Sequence, residues 1–492
     1  MAASRPEPGP LTKTSTVFRP CSMAALAAAG RRDARAAARI DCSAALAAMQ
    51  GVVVSVRCRA SGVTEPDHPW NGVKVQLRYA DADGNPQYPA FELPQGSFDW
   101  TNATVRLSAL ANPLGIGGGG GATLLLGLEG CSGRAEFDLS SLRVACEDPG
   151  IPRVNEDYVV RYPSCREGER EAPRARNLRG FMLPARATTE RDIETLLRWG
   201  ATLVRFQIVR DFGKIGANSD LADYAAWIDS RLDNLADVLL WSESRGIKVC
   251  VDLHSAPGGV RAGDRATAML YDERLADAFV ETWRRIATRF AGHPALYGYD
   301  LVNEPKQLAA APVSYWEIQR RAAEAVRAID PATPIVVESN VSASPAAFAC
   351  LSPLAMDNVI YQLHMYAPGD YTHQGVGRAL LKDGKQPVWP DPGRGWDRDW
   401  LRRTLEPVLA FQRRHGARIY VGEFSAVAWA PGADRYLRDC IAIFNEFGWD
   451  WTYHAFREWS AWSVEHETKA PGAPSTPSAD NPRRAVLLEA LR

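Results

Sequence analysis

Eight strand-like runs recur in the C-terminal part of the chain: "NLRGFML", "TLVRFQI", "KVCVDLH", "LYGYDLV", "PIVVES", "NVIYQLH", "RIYVGEF" and "WDWTYHAF". Amphipathic stretches lie between them. In "TTERDIETLLRWG", Thr189 can cap a helix, Ile193, Leu196 and Leu197 fall on one face, and Gly200 can end it. Segments 222–245, 273–291, 314–329, 398–415 and 433–447 repeat the helical pattern. Eight strands alternating with helices over roughly 310 residues predict a closed (β/α)8 TIM barrel, an α/β fold, across 177–492. A doubly wound open sheet alternates in the same way. The count of eight, and the polar residues at the run ends, favour the barrel.

Residues 46–147 follow a different period. "VVVSVRC", "VKVQLRY", "TVRLSAL", "ATLLLGL" and "RAEFDLS" alternate with period two and are separated by turn chemistry such as "NG" and "DADG". Short strands without helices predict a β-sandwich. Gly115, Gly117 and Gly120 match GxGxxG, but they feed a strand rather than a helix N-terminus, so no phosphate site is expected. Residues 1–45 form an irregular N-terminal segment. Residues 148–176, rich in Pro, Arg and Glu, read as a linker.

A net charge of −1 gives no support to nucleic-acid or anionic-membrane partners. No apolar run reaches the roughly 18 residues of a bilayer span, and there is no clear signal peptide. The nine cysteines form no CxxC pair, and Cys250 sits in an apolar strand pattern as a buried thiol. The 15 tryptophans are many for this length and point either to large cores or to flat stacking surfaces for ligands.

Barrel enzymes place their chemistry at the C-terminal ends of the strands. Here the second run carries Arg205 and the third ends at His254. The fourth ends at Asn303 and Glu304, and the sixth carries His364 and Tyr366. The seventh ends at Glu423, and the eighth carries His454, Glu458, Trp459 and Trp462. Two glutamates facing one mouth suit glycosidic cleavage, which needs an acid for the departing oxygen and a second carboxylate to attack or to activate water. Arg205 beside one glutamate would keep it ionised, while the less solvated other would stay protonated. A metal-dependent hydrolase would want His-x-His on the first strand, and a phosphate-binding barrel a Gly-rich loop after the seventh or eighth. Neither is present in the sequence. A non-catalytic sugar-binding barrel would have no need of both glutamates.

In this order the motifs resemble glycoside hydrolase family 5, the cellulase family. "YDLVNEP" is similar to its acid/base signature and "YVGEFS" to its nucleophile strand, while "VRFQI", "DLHSAPGG" and "HMYAP" resemble the strand 2, 3 and 6 motifs. The resemblance implies retaining cleavage of a β-linked polysaccharide, with β-1,4-glucan the first expectation and mannan or β-1,3-glucan alternatives on the same framework. Glu304 would be acid and then base, and Glu423 the nucleophile. Asn303 would hold the 2-hydroxyl of the reacting sugar. Arg205 and Tyr366 would hold and tune Glu423, and His254 and His364 would line the same subsite. Family members usually end strand 8 in a sugar-stacking Trp. Here His454 stands near that point, and Trp459 or Trp462 would supply the platform. No cofactor and no metal are implied. The expected protein is a monomer acting outside the cytoplasm. "WNGVKVQLRYADADG", "GSFDW" and "GRAEFDLSSLRV" resemble a jelly-roll carbohydrate-binding module, with Trp70 and Trp100 as platforms or as core residues.

Overall fold

The computed structural model describes residues 26–29, 35–40, 51–66, 68, 71–80, 86–89, 91, 93–107, 122–147, 178–307, 311–376 and 386–492. Trp70, the glycine run at 115–120 and the linker at 148–176 lie outside these residues. Internal contacts gather the chain into two units, Met1–Asp148 and Pro149–Arg492.

The N-terminal unit holds two four-stranded antiparallel sheets. Leu26–Ala29, Arg134–Glu147, Gly51–Ser61 and Phe98–Leu107 make one. Arg35–Ile40, Ala122–Glu129, Gly72–Ala80 and Pro86–Gln87 make the other. Alternate residues of both, among them Val54, Val56, Leu77, Val105, Leu124, Leu126 and Phe137, share one buried core. Period-two patterning therefore folds here into a sandwich.

The C-terminal unit is a closed parallel barrel of β1 (Arg179–Met182), β2 (Leu203–Gln207), β3 (Lys248–Asp252), β4 (Leu296–Asp300), β5 (Ile335–Glu338), β6 (Val359–Met365), β7 (Arg418–Phe424) and β8 (Asp450–Tyr453). Each strand pairs with the next, and β8 pairs with β1. Helices α1 (Glu190–Trp199), α2 (Leu221–Glu243), α3 (Glu273–Phe290), α4 (Tyr315–Arg327), α5 (Arg398–His415), α6 (Ala433–Glu446) and α7 (Pro482–Ala490) accompany it. Between β5 and β6 the longest helical piece is a six-residue 3-10 turn, Pro345–Cys350.

Helix α1 is closed by a capping box between Thr189 and Asp192, and by Gly200 in the left-handed region at φ 93°. Leu197 departs from the expected face and is exposed. The buried stripe of α1 turns toward Asp192, Thr195, Leu196 and Trp199, because Asp192 is drawn inward to accept from Arg186 and Arg457.

Two layers fill the barrel. Leu203, Cys250, Tyr297, Val336, Ile360 and Tyr420, one from each of β2–β7, form an apolar cluster. Two residues further along a strand the side chain returns to the same face. There the layer turns polar, with Arg205, Asp252, Glu338 and Gln362. Asp300 joins them, carried into register by a bulge between β3 and β4. Gly422 occupies the β7 position of this layer, and a Cβ there would meet the Gln362 amide. Cys250 is a free buried thiol, as are Cys58 and Cys440.

Closure depends on a near approach at β1. A Cβ on Gly180 would lie 1.7 Å from the Leu203 carbonyl oxygen. Gly180→Ala is expected to cost about 1–3 kcal/mol or more by forcing β1 and β2 apart. An unchanged unfolding midpoint would show that the strands do not approach this closely.

Candidate active site

The acid layer is organised by Arg205, which is fully buried. Its Nε donates to Asp300 at 2.8 Å and its Nη1 to Glu423 Oε1 at 2.7 Å. Its Nη2 donates to Asn303 Oδ1 and to Glu338 Oε1, both at 3.0 Å, and lies 3.2 Å from Asp252. Four carboxylates around one cation leave a surplus of negative charge in a dry place. Burial therefore lifts Asp300 to about 6 against the pull of Arg205. Burial, then Asp300, hold Glu338 well above the usual carboxylate range. Arg205, expected to hold Glu423, lies buried behind it and out of reach of a ligand.

Glu423 is the penultimate residue of β7, next to this layer. Burial pushes its carboxyl upward, but His364, His454 and Arg205 outweigh burial and hold it well below the usual range. Oε1 is taken by Arg205 and Oε2 by the Tyr366 hydroxyl at 2.8 Å.

Glu304 lies beyond the end of its strand. The β4 ladder stops at Asp300, and three residues then lead to Glu304, whose φ of 48° lies in the left-handed region. That conformation costs a non-glycine residue about 1–2 kcal/mol. Its backbone N–H is held by Glu338 Oε2 at 2.7 Å, and its side chain lies 2.9 Å from His364 Nδ1. The expectation that the strand itself runs to Glu304 is thus corrected: Pro305 follows a turn residue that is locked from β5.

One carboxylate oxygen of Glu304, one of Glu423 and a ring nitrogen of His364 all lie within 4.8 Å of one another. Such a trio has the spacing of a cation site. However, both Glu423 oxygens already accept hydrogen bonds, and the Arg205 guanidinium would repel an added cation.

The remaining expected residues cluster here too. His254 Nδ1 meets Asp252 at 2.8 Å, and its Nε2 lies 3.2 Å from the Asn303 amide nitrogen. With Asn303 Oδ1 already accepting from Arg205, that nitrogen donates to His254 and keeps a second hydrogen free. His454, after β8, lies 2.6 Å from the Tyr366 hydroxyl and 3.5 Å from Glu423. Trp462 is buried against Tyr366, His373 and His454, whereas Trp459 is 41% exposed. In the N-terminal unit, the Arg57 and Arg59 guanidinium groups lie over the Trp100 ring at 5.4 and 5.0 Å. Trp100 is thus engaged within its own sheet.

Asp252, Asp300, Glu338 and Gln362 were not singled out from the sequence, although each lies within or ends a strand-like run. "PIVVES" carries Glu338 at its end just as "YVGEF" carries Glu423. Phe212 was also missed. It is 47% exposed and packs edge-on against His254 at 4.6 Å.

Residues 167–463 match the family model for cellulase, glycosyl hydrolase family 5. The chain belongs to this family. It is a glycoside hydrolase. Endoglucanase C of Acetivibrio thermocellus is 24% identical over 295 residues, spanning 54% of this chain and 83% of its own. Cellodextrinase A of Ruminococcus flavefaciens is 22% identical over 277 residues, spanning 55% and 79%. A crystal structure of a glycoside hydrolase superposes with a TM-score of 0.51 at 23% identity, covering 64% of this chain and 99% of the other, which shows the shared barrel fold.

Proposed function

We propose that this family 5 hydrolase cleaves a β-1,4-linked glucan with retention of anomeric configuration, through a glycosyl-enzyme on Glu423. The observation that carries this reading is the separation of the two carboxylates. Oxygens of Glu304 and Glu423 lie within 4.8 Å, which is close to the ~5–5.5 Å of retaining enzymes and too short for a water poised between them. Their environments differ, and Glu304 is the more exposed of the two, against the expectation that the acid is the less solvated one. Glu423 is held ionised by Arg205 and by the histidines, as a nucleophile must be. Glu304 stands nearer the mouth, with only His364 on its carboxyl among the described side-chain hydrogen bonds, where it can reach a departing oxygen. The free amide hydrogen of Asn303 is available for the 2-hydroxyl of the sugar.

Similarity to an endoglucanase and a cellodextrinase supports a glucan, and a polymeric substrate fits action outside the cytoplasm. Among the described residues no helix is long and apolar enough to cross a membrane. The sandwich is proposed as an accessory carbohydrate-binding module.

The reading is tested by proton NMR of early products from β-1,4-glucan, mannan and β-1,3-glucan. The first-formed β-anomer from β-1,4-glucan is expected. First-formed α-anomer would exclude the double displacement, and cleavage of mannan alone would exclude the substrate.

Two exposed rings, Phe212 and Trp459, are offered as platforms for sugars beyond the reacting one. Sugar–aromatic contact is apolar stacking. Each alanine variant should lower kcat/KM on cellopentaose about tenfold while changing an aryl glucoside little. Equal losses on both substrates would remove the platform role.

A further inference from the structure

His454 was expected to line the sugar subsite. Its hydrogen bonds give it another task. The Tyr366 hydroxyl lies 2.8 Å from Glu423 Oε2 and 2.6 Å from His454 Nδ1. A phenol has one proton, and an ionised carboxylate only accepts. The proton must therefore point at Glu423. At 2.6 Å a bare Nδ1 would then set lone pair against lone pair, so Nδ1 carries a hydrogen and donates to the phenol oxygen. On the other side of the ring, Nε2 lies 3.6 Å from Glu458 Oε1. Glu458 Oε2 in turn accepts from Gln207 at 2.7 Å, and Gln207 is fixed by the Leu183 carbonyl at 2.7 Å. Carboxylates thus lie on both sides of the ring, Glu458 at Nε2 and Glu423 3.5 Å from Nδ1.

We propose that His454 is a positioning residue, an imidazolium clamped by Glu458 that acts through Tyr366 on Glu423 and makes it a better leaving group when the glycosyl-enzyme is hydrolysed. This inference rests on the double-displacement reading and deepens it. In the first step a Glu423 oxygen forms a bond to the anomeric carbon, and the bond to the leaving oxygen breaks as Glu304 protonates it. In the second, water adds to that carbon, its proton passes to Glu304, and Glu423 departs as a carboxylate. The departing charge returns to the oxygens that Arg205 and Tyr366 serve, with the imidazolium behind the phenol. Stabilising that charge speeds the second step, in which it forms, and slows the first, in which it is consumed.

Groups facing His454 are Glu423, Tyr366, Glu458, Arg205 and His373. Burial disfavours its charge, but Glu423 and then Glu458 outweigh burial and lift the imidazole to about 9, with Arg205 opposing. His373, behind Tyr366, is pressed down to about 4 by burial and stays neutral. The cation is therefore present below about pH 9 and is lost as pH rises through that value.

The test uses His454→Gln and Glu458→Gln in the full chain, with dinitrophenyl cellobioside as substrate and intact-mass detection of a fluorosugar-trapped glycosyl-enzyme. In His454→Gln, kcat should fall about tenfold and KM should fall with it, with a burst of dinitrophenol as the intermediate accumulates. The alkaline limb of kcat in the parent should move to lower pH in Glu458→Gln, because the imidazolium has lost a partner. A raised KM at unchanged kcat in His454→Gln would make the residue a sugar contact and overturn the proposal. An unmoved alkaline limb in Glu458→Gln would overturn it as well, even if the other variant failed to fold. Failure of the parent itself to trap a glycosyl-enzyme has a separate signature and would remove the double displacement.

Discussion

Glu423→Gln is expected to lower turnover of glucan by roughly ten-thousand-fold or more, because an amide neither attacks an anomeric carbon nor leaves from one at a useful rate. The fold should survive, since glutamine keeps the shape and can still accept from Arg205 through its oxygen. Glu304→Ala should behave differently. An acid is needed only when the departing oxygen is a poor leaving group. This variant should lose glucan turnover yet still form the glycosyl-enzyme from dinitrophenyl cellobioside, then stall for want of a base. Added azide, which needs no base, should release it as a glycosyl azide. Near-normal glucan turnover in either variant would remove that residue from its role. Failure of Glu304→Ala to form the glycosyl-enzyme from dinitrophenyl cellobioside would mean that it is not the acid.

Arg205→Met should carry the largest cost to stability. The guanidinium is ringed by Asp252, Asp300, Glu338 and Glu423, all buried. Removing it leaves these acids facing one another without a counter-charge, which costs about 3–5 kcal/mol at neutral pH. The sign with pH follows by linkage. Already in the parent, Asp300 is raised to about 6, so the folded state holds that proton more tightly than the unfolded chain. The related stability is full below the ordinary carboxylate range and is lost as pH rises through about 6. Glu338, also raised, already shares this behaviour. Without Arg205, Glu423 loses one of the cations that hold it down. The gap between variant and parent in urea unfolding should therefore narrow from pH 7.5 toward pH 4.5. A cost under about 1 kcal/mol at neutral pH, or one independent of pH, would mean that the layer relaxes or is hydrated.

The chain's residues alone located all eight barrel strands, because a parallel strand covered on both faces is a near-continuous apolar run and its polar end stands out against it. They also carry the period of two that runs along both N-terminal sheets, and they single out Glu304 and Glu423 as the proposed pair. Local sequence could not reveal the acid layer, since Asp252, Asp300, Glu338 and Gln362 acquire meaning only when closure points them at Arg205. Nor could it place Glu304, whose backbone is held in the left-handed region by a carboxylate 34 residues away. The same holds for the carboxylate separation and for the proton on His454. Periodicity is written along the chain, but distances and proton positions are set across it, by groups that become neighbours only when the barrel closes.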